Sequence, residues 1–130
     1  LVASLMPDEP DYRASDALLT EGGNFTTPHA LNETFATLTG GRLGLRVDAD
    51  VAAQMIRESI VPCVLFVDLT AEDIVAAQRS ARETGVRGGG VYDYMHLVAA
   101  RKAKAAVLNT TNLSDFRHLR REGDPEILPP

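Results

Sequence analysis

The run Ile60–Val67, IVPCVLFV, constrains this chain more than any other stretch. It is apolar and rich in β-branched residues, and only Pro62 and Cys63 interrupt it. An unbroken apolar run of strand length argues for a strand covered on both faces, as in a parallel sheet. Pro62 suits the start of such a strand better than its middle. Helical patterns flank the run and alternate with other short apolar runs along the chain. That alternation predicts an α/β fold, a parallel sheet with helices on both faces.

In chain order, Leu1–Met6 is apolar and reads as a strand or its end. Pro7-Asp8-Glu9-Pro10 turns into a helix reaching about Thr20, with Ala14, Ala17 and Leu18 on one face, and Gly22-Gly23 stops it. Asn24–Thr27 is a short strand. Thr27 is placed to cap the next helix and Pro28 fits its first turn. That helix carries Ala30, Leu31, Phe35 and Leu38 and ends at Gly40-Gly41. Gly41–Val47 reads as a loop, and Asp48 or Asp50 caps a third helix running to about Glu58. Thr70 precedes Glu72 and Asp73 as a cap, and its helix ends near Gly85.

Gly88-Gly89-Gly90 then breaks the pattern, and a helix begins at Val91 with Met95, Leu97, Val98 and Ala99 available for a core face. Asp93 falls in its first turn, and Arg101, Lys102 and Lys104 crowd its last, as the helix dipole favours. Ala105–Leu108 is a short strand, followed by a polar turn cluster from Asn109 to Phe116. Residues 124–130 are Pro-ended and expected to fray. No repeat or linker divides the chain, so a single domain over residues 1–130 is expected.

At 130 residues, 45% hydrophobic and 24% charged, the chain can bury a core without staples. One cysteine, Cys63, excludes an internal disulfide framework and a Cys-rich zinc site, and is expected as a packed thiol. There is no membrane-spanning run and no export signal, so the four Asn-x-Ser/Thr matches are taken as chance and the expected location is cytoplasmic. The net charge of −5 counts against a module that simply coats nucleic acid. It does not exclude a nuclease, whose metal-binding carboxylates lower the charge. Arg101, Lys102, Lys104, Arg117, Arg120 and Arg121 cluster late in the chain. They form either a phosphate-contacting surface or a solvated helix end and tail.

Asp93 reads as a metal ligand or as a helix-start acid worth about 0.3–1 kcal/mol. Glu33 lies between Leu31 and Phe35, beside an apolar face where a carboxylate needs a partner such as a divalent cation. Thr110, Asn112 and Asp115 follow the last of the expected strands, and open α/β sheets bind ligands at the carboxyl ends of strands. Carboxylates gathered in one cleft repel, and a hard oxygen-preferring cation, Mg²⁺ or Mn²⁺, relieves that repulsion. His29, His96 and His118 have no metal-ligand spacing, although His96 stands three residues from Asp93 on the same helix. Gly85–Gly90 follows a helix and lacks a Gly-Lys-Ser/Thr ending, so it is not a nucleotide-binding loop.

Tyr92-Asp93, the small-residue helix Met95–Lys102, the apolar strand, and then Thr110, Asn112, Asp115 and Phe116 resemble the C-terminal half of PIN-domain ribonucleases. The closest likeness within that family is to VapC-type toxins of type II toxin–antitoxin pairs. Leu1–Pro10 is similar to the segment after their first strand, and Thr27-Pro28 with Leu31–Thr34 to their second acidic motif. The resemblance implies a PIN-like three-layer α/β/α fold with a central parallel sheet, and a Mg²⁺- or Mn²⁺-dependent endoribonuclease. It implies Glu33, Asp93 and Asp115 as metal ligands, with Thr110 and Asn112 positioning water or phosphate, and leaves Asn112 and Asp115 both as candidates for the last metal-facing place. The implied partners are an RNA substrate, a cognate antitoxin and a second copy of the chain.

One departure stands out: the family's first acidic residue ends the first strand, and this sequence begins just after that point. The expectation is that about ten more residues, with that acid among them, precede Leu1. Two alternatives stand beside this reading. One is a catalytically inactive PIN-like scaffold that binds RNA or protein. The other is a different α/β protein with an acidic metal pocket, such as a phosphatase or receiver domain.

Overall fold

A computed structural model describes residues 1–41, 44 and 46–130. Among these residues are six α-helices and four short strands, paired as two two-stranded parallel sheets. The chain is thus of mixed α/β type, and its residues group into two compact units, Leu1–Phe66 and Val67–Pro130. Among the described residues no helix is long and apolar enough to cross a membrane.

The first unit runs from a short 3₁₀ turn (Ala3–Leu5) through α1 (Tyr12–Glu21), β1 (Asn24–Thr26), α2 (Pro28–Thr39) and α3 (Ala49–Met55) to β2 (Val64–Phe66). Strands β1 and β2 pair with Phe25 opposite Leu65. The start of α2 is as expected: Ala30 N–H donates to Thr27 Oγ1 at 3.3 Å, and Pro28 fills the first helical position. Leu5, Leu38, Ala52, Ile56 and Ile60 form the core of this unit.

Three local expectations fail here for identifiable reasons. Leu1–Met6 is not a strand; Ser4 Oγ donates to Leu1 O at 2.7 Å, closing a turn that drops Leu5 into the core. Helix α1 buries Ser15 and leaves Ala14 and Ala17 exposed, because it packs against that turn. The run Ile60–Val67 becomes a strand only from Val64. Ala52, Ile56 and Ile60 are spaced four apart, so the helical face of α3 continues through a wider π turn (Ile56–Ile60), and Pro62 lies in a 3₁₀ turn (Val61–Cys63). Burying Ile60 completely on that face outweighs strand propensity. Nor is β2 covered on both faces, since Leu65 is 60% and Phe66 38% exposed. Cys63 is half-buried. The loop expected over Gly41–Val47 lies partly outside the described residues.

The second unit comprises α4 (Ala71–Thr84), α5 (Gly90–Lys102), β3 (Val107–Asn109), α6 (Leu113–Leu119) and β4 (Glu126–Leu128). Helix α4 is bounded as its sequence predicts. Asp73 N–H donates to Thr70 Oγ1 at 3.2 Å and Thr70 N–H to Asp73 Oδ2 at 2.9 Å, a reciprocal capping box. At the other end Gly85 takes φ 73°, and Val86 N–H returns to Ala81 O at 3.0 Å. Thr70→Ala and Gly85→Ala are each expected to cost about 1 kcal/mol. Urea unfolding midpoints check this, and unchanged midpoints would show that α4 does not depend on its ends.

Ala77, Tyr94, Leu97, Phe116, Leu119 and Ile127 form the core of this unit, with Met95, Val98 and Leu108 packed on it. Helix α5 starts one residue before Val91, at Gly90, and β3 lies two residues later than Ala105. The largest departure is at the end of the chain. Residues expected to fray form β4, with Leu108 opposite Ile127, Glu126 N–H donating to Ala106 O at 2.9 Å, and Ile127 buried. Arg101 anchors this segment, its Nε and Nη2 reaching Asp124 Oδ1 and Oδ2 at 2.5 and 2.7 Å.

Candidate active site

The carboxyl end of β3 carries the candidate residues. Thr110 N–H donates to Leu128 O at 2.9 Å, which ties the residue after β3 to β4. Thr110 Oγ1 then accepts from Asn112 N–H at 3.1 Å, making a short turn that delivers the chain into α6. Asn112 flanks the first turn of α6, and Asp115 lies within it. Packing of Tyr94 and Leu97 of α5 with Phe116 and Leu119 of α6 joins the two helices in one core. Asp93, in the first turn of α5, thereby meets the start of α6.

The meeting point is one side-chain amide. Asn112 Nδ2 donates to Asp115 Oδ2 at 2.9 Å and, more weakly, to Asp93 Oδ2 at 3.4 Å. Ser114 Oγ approaches Asp115 Oδ1 at 3.4 Å. Two carboxylates from two helices therefore share a neutral donor, and both stand where the N-terminal end of a helix dipole stabilises negative charge. Asp93 is half-buried, while Asn112 and Asp115 are exposed, so the cluster is open to an incoming ligand.

Carboxylate oxygens are the donors that a hard cation prefers. Mg²⁺ characteristically takes one or two carboxylates and completes its shell with water and substrate phosphate. Asp93 and Asp115 provide two such groups. Among the described residues no set of three or more His, Cys, Asp or Glu gathers closely enough for an all-protein cage. Glu33, the other expected ligand, belongs to the Leu1–Phe66 unit. On α2 its carboxylate lies 3.7 Å from His29 Nε2, with 42% of the side chain exposed. The structure therefore brings together Asp93, Thr110, Asn112 and Asp115, and places Glu33 beside His29.

The late cluster of cations divides in two. Arg101 and Lys102 have carboxylate partners. Arg101 holds Asp124 at 6% side-chain exposure, and the pair raises the Arg101 pKa. Burial alone would push the Asp124 carboxyl up, but hydrogen bonds from Arg101 and from the Arg121 backbone N–H hold it below its ordinary value. Burial likewise opposes ionisation of Tyr94, yet hydrogen bonds from Ser80 and Arg101 lower its pKa on balance. Lys102 Nζ lies 2.6 Å from Asp73 Oδ2 and 2.9 Å from Asp68 O. That hydrogen bond, with those from Thr70, holds the Asp73 carboxyl down at about 2, against an ordinary 3.8.

Because the folded-state value is the lower one, the Asp73–Lys102 pair stabilises fully above about pH 4 and its contribution is lost as pH falls towards 2. Lys102→Ala is expected to lower the thermal midpoint at pH 6 slightly, and the difference from the parent chain should close by pH 2. A difference independent of pH would show that lost stem packing, not the ion pair, was responsible. No sequence signal identified Asp73 and Asp124 as counter-ions, since their partners lie 29 and 23 residues away.

Comparison with models of known protein families, with curated proteins and with solved structures yields no match to this chain.

Proposed function

We propose that this chain is a metal-dependent endoribonuclease toxin of a type II toxin–antitoxin pair, on the PIN-like three-layer α/β/α frame that the sequence resemblance implies. One observation carries the proposal: Asp93 and Asp115, singled out from sequence as metal ligands, converge on the Asn112 amide at the carboxyl end of a parallel strand. That is the position at which open α/β sheets present ligands.

Asp93 and Asp115 would hold Mg²⁺ or Mn²⁺, with Glu33 contributing as the resemblance implies. The bound ion would supply an activated water and neutralise charge on the phosphoryl group. Asp93 and Asp115 concentrate negative charge at one point and orient it from two rigid helix starts. Asn112 bridges the two carboxylates at hydrogen-bond distance, and its amide would be available to a phosphate oxygen arriving there. Thr110 fixes Asn112 by accepting its backbone N–H. The resemblance adds a cognate antitoxin whose tail blocks this cluster, and a homodimer, as proposed partners.

Cleavage of single-stranded RNA by the purified chain, with Mg²⁺, with Mn²⁺ and with chelator, tests the reading. Metal-dependent cleavage supports it, and no cleavage with either metal overturns it. A second reading, a catalytically inactive scaffold that binds RNA or protein, is favoured by the same amide. Its N–H groups already point at both carboxylates, where a cation would otherwise be needed. RNA binding without cleavage would select that reading.

A further inference from the structure

Three of the four cations left over from the carboxylate pairing, all but Lys104, converge on one feature. Arg117, Arg120 and Arg121 line an open groove at the C-terminal end of α6, together with Glu122 and Gly123. The two later arginines are held in place by neutral acceptors. Arg120 Nε donates to Pro125 O at 3.0 Å, and Arg121 Nη1 to His118 O at 3.1 Å and Arg120 O at 3.0 Å. Arg121 Nη2 reaches Glu83 O at 3.3 Å. Carbonyls orient a guanidinium without cancelling its charge. The nearby carboxylate of Asp124 is already committed to Arg101 and to the Arg121 backbone N–H. Three arginines against one glutamate leave the groove two charges positive, on a chain whose net charge is −5.

The helix dipole accounts for part of this, because cations are favoured at a helix C-terminus and Arg121 caps the last carbonyls. Arg117 also stands in the last turn of α6, but its side chain is exposed and makes no polar contact among the described residues. Planar guanidinium forks fixed by carbonyls are preorganised for the paired oxygens of a phosphodiester. Arg117 shares the short helix α6 with Asp115, and Arg120 and Arg121 follow directly after its end. At 1.5 Å per residue, α6 places the groove within about 10 Å of the carboxylate cluster.

We propose that this groove binds the phosphate backbone of single-stranded RNA, one or more nucleotides along from the bond held at Asp93 and Asp115. The choice of RNA rests on the nuclease reading; the anion-binding groove itself does not. The groove holds the strand by charge and without reading bases, so it contributes affinity and not sequence preference. It also accounts for how a chain of net negative charge approaches a polyanion: Arg101 and Lys102 are paired within the fold, and the three arginines at the end of α6 face the ligand.

The test uses the full chain carrying Asp93→Asn, in chelator, so that RNA is bound and not cut. Fluorescence anisotropy with a labelled 12-nucleotide oligouridylate is followed between 50 and 200 mM salt. Arg117→Glu is expected to weaken binding about tenfold at 100 mM salt and to reduce the salt slope by about 1, while Arg117→Lys stays within about threefold of the parent. An unchanged urea midpoint for Arg117→Glu separates loss of binding from loss of fold. An unaltered affinity and slope in Arg117→Glu would overturn the proposal. So would a clear preference for vesicles of phosphatidylserine over the oligouridylate. Binding that depends on Arg117 in a chain that never cleaves RNA would retain the groove and remove the nuclease; cleavage that ignores Arg117 would do the reverse.

Discussion

Asp93→Asn is expected to reduce metal-dependent RNA cleavage by on the order of 100-fold or more. The substitution is nearly isosteric, and the new amide oxygen still accepts from Asn112, so the meeting of α5 and α6 survives. What disappears is one negative charge at the start of α5. A hard cation held by two carboxylates loses half of its charged ligands among Asp93 and Asp115, and the remaining site binds it far more weakly. Raising Mn²⁺ should therefore recover part of the activity in Asp93→Asn, as expected of a lost ligand and not of a lost fold. Asp115→Asn should behave alike. Thr110→Val, which removes only the acceptor that fixes Asn112, should cost less, about tenfold. Equal cleavage by the parent chain and Asp93→Asn, at matched purity, would place the chemistry elsewhere.

The second large effect concerns the end of the chain. Asp124→Ala should destabilise the protein by about 2–4 kcal/mol. Asp124 is 6% exposed at its side chain and accepts from Arg101 Nε, Arg101 Nη2 and the backbone N–H of Arg121. Removing it strands a guanidinium lying 5.5 Å from the Tyr94 ring centre and releases the turn that leads into β4. The Arg101 side chain is about a third exposed, so water recovers part of the loss, which keeps the figure below that of a fully enclosed pair. Urea unfolding gives the magnitude. Amide exchange at Ile127 and Leu128 gives the location, since exchange there should accelerate first. A loss under about 0.5 kcal/mol would mean the pair behaves as an exposed surface bridge.

Both expectations depend on contacts of different legibility. Thr27, Thr70 and Gly85 were readable as helix ends because capping joins residues three to five apart. Asp93 was readable as a helix-start acid for the same reason, whereas Asp115 was expected in a loop and instead lies in the first turn of α6. That one amide would gather them was not readable, because Asn112 and Asp93 are 19 residues apart and meet only once α5 and α6 share a core. The run Ile60–Val67 misled because its apolar residues satisfy two periods. As a run of eight they fit a strand, and as the continuation of Ala52 and Ile56 they fit a helix. Tertiary burial of Ile60 decided between them. The tail misled because its closing prolines suggested fraying, while one apolar residue, Ile127, and one carboxylate, Asp124, were enough to fix it.

By itself, then, the sequence determined the mixed α/β class, most of the helices and the acids that are candidates for a shared site. Each of these follows from side-chain period, composition or a local cap. Only the tertiary structure decided which acids are spent on Arg101 and Lys102 and which remain at the end of β3. It alone decided that Arg117, Arg120 and Arg121 keep their charge for a groove. A carboxylate's role is set by the cation or donor that lies within about 3 Å of it, and over tens of residues of chain that distance is a property of packing, not of sequence order.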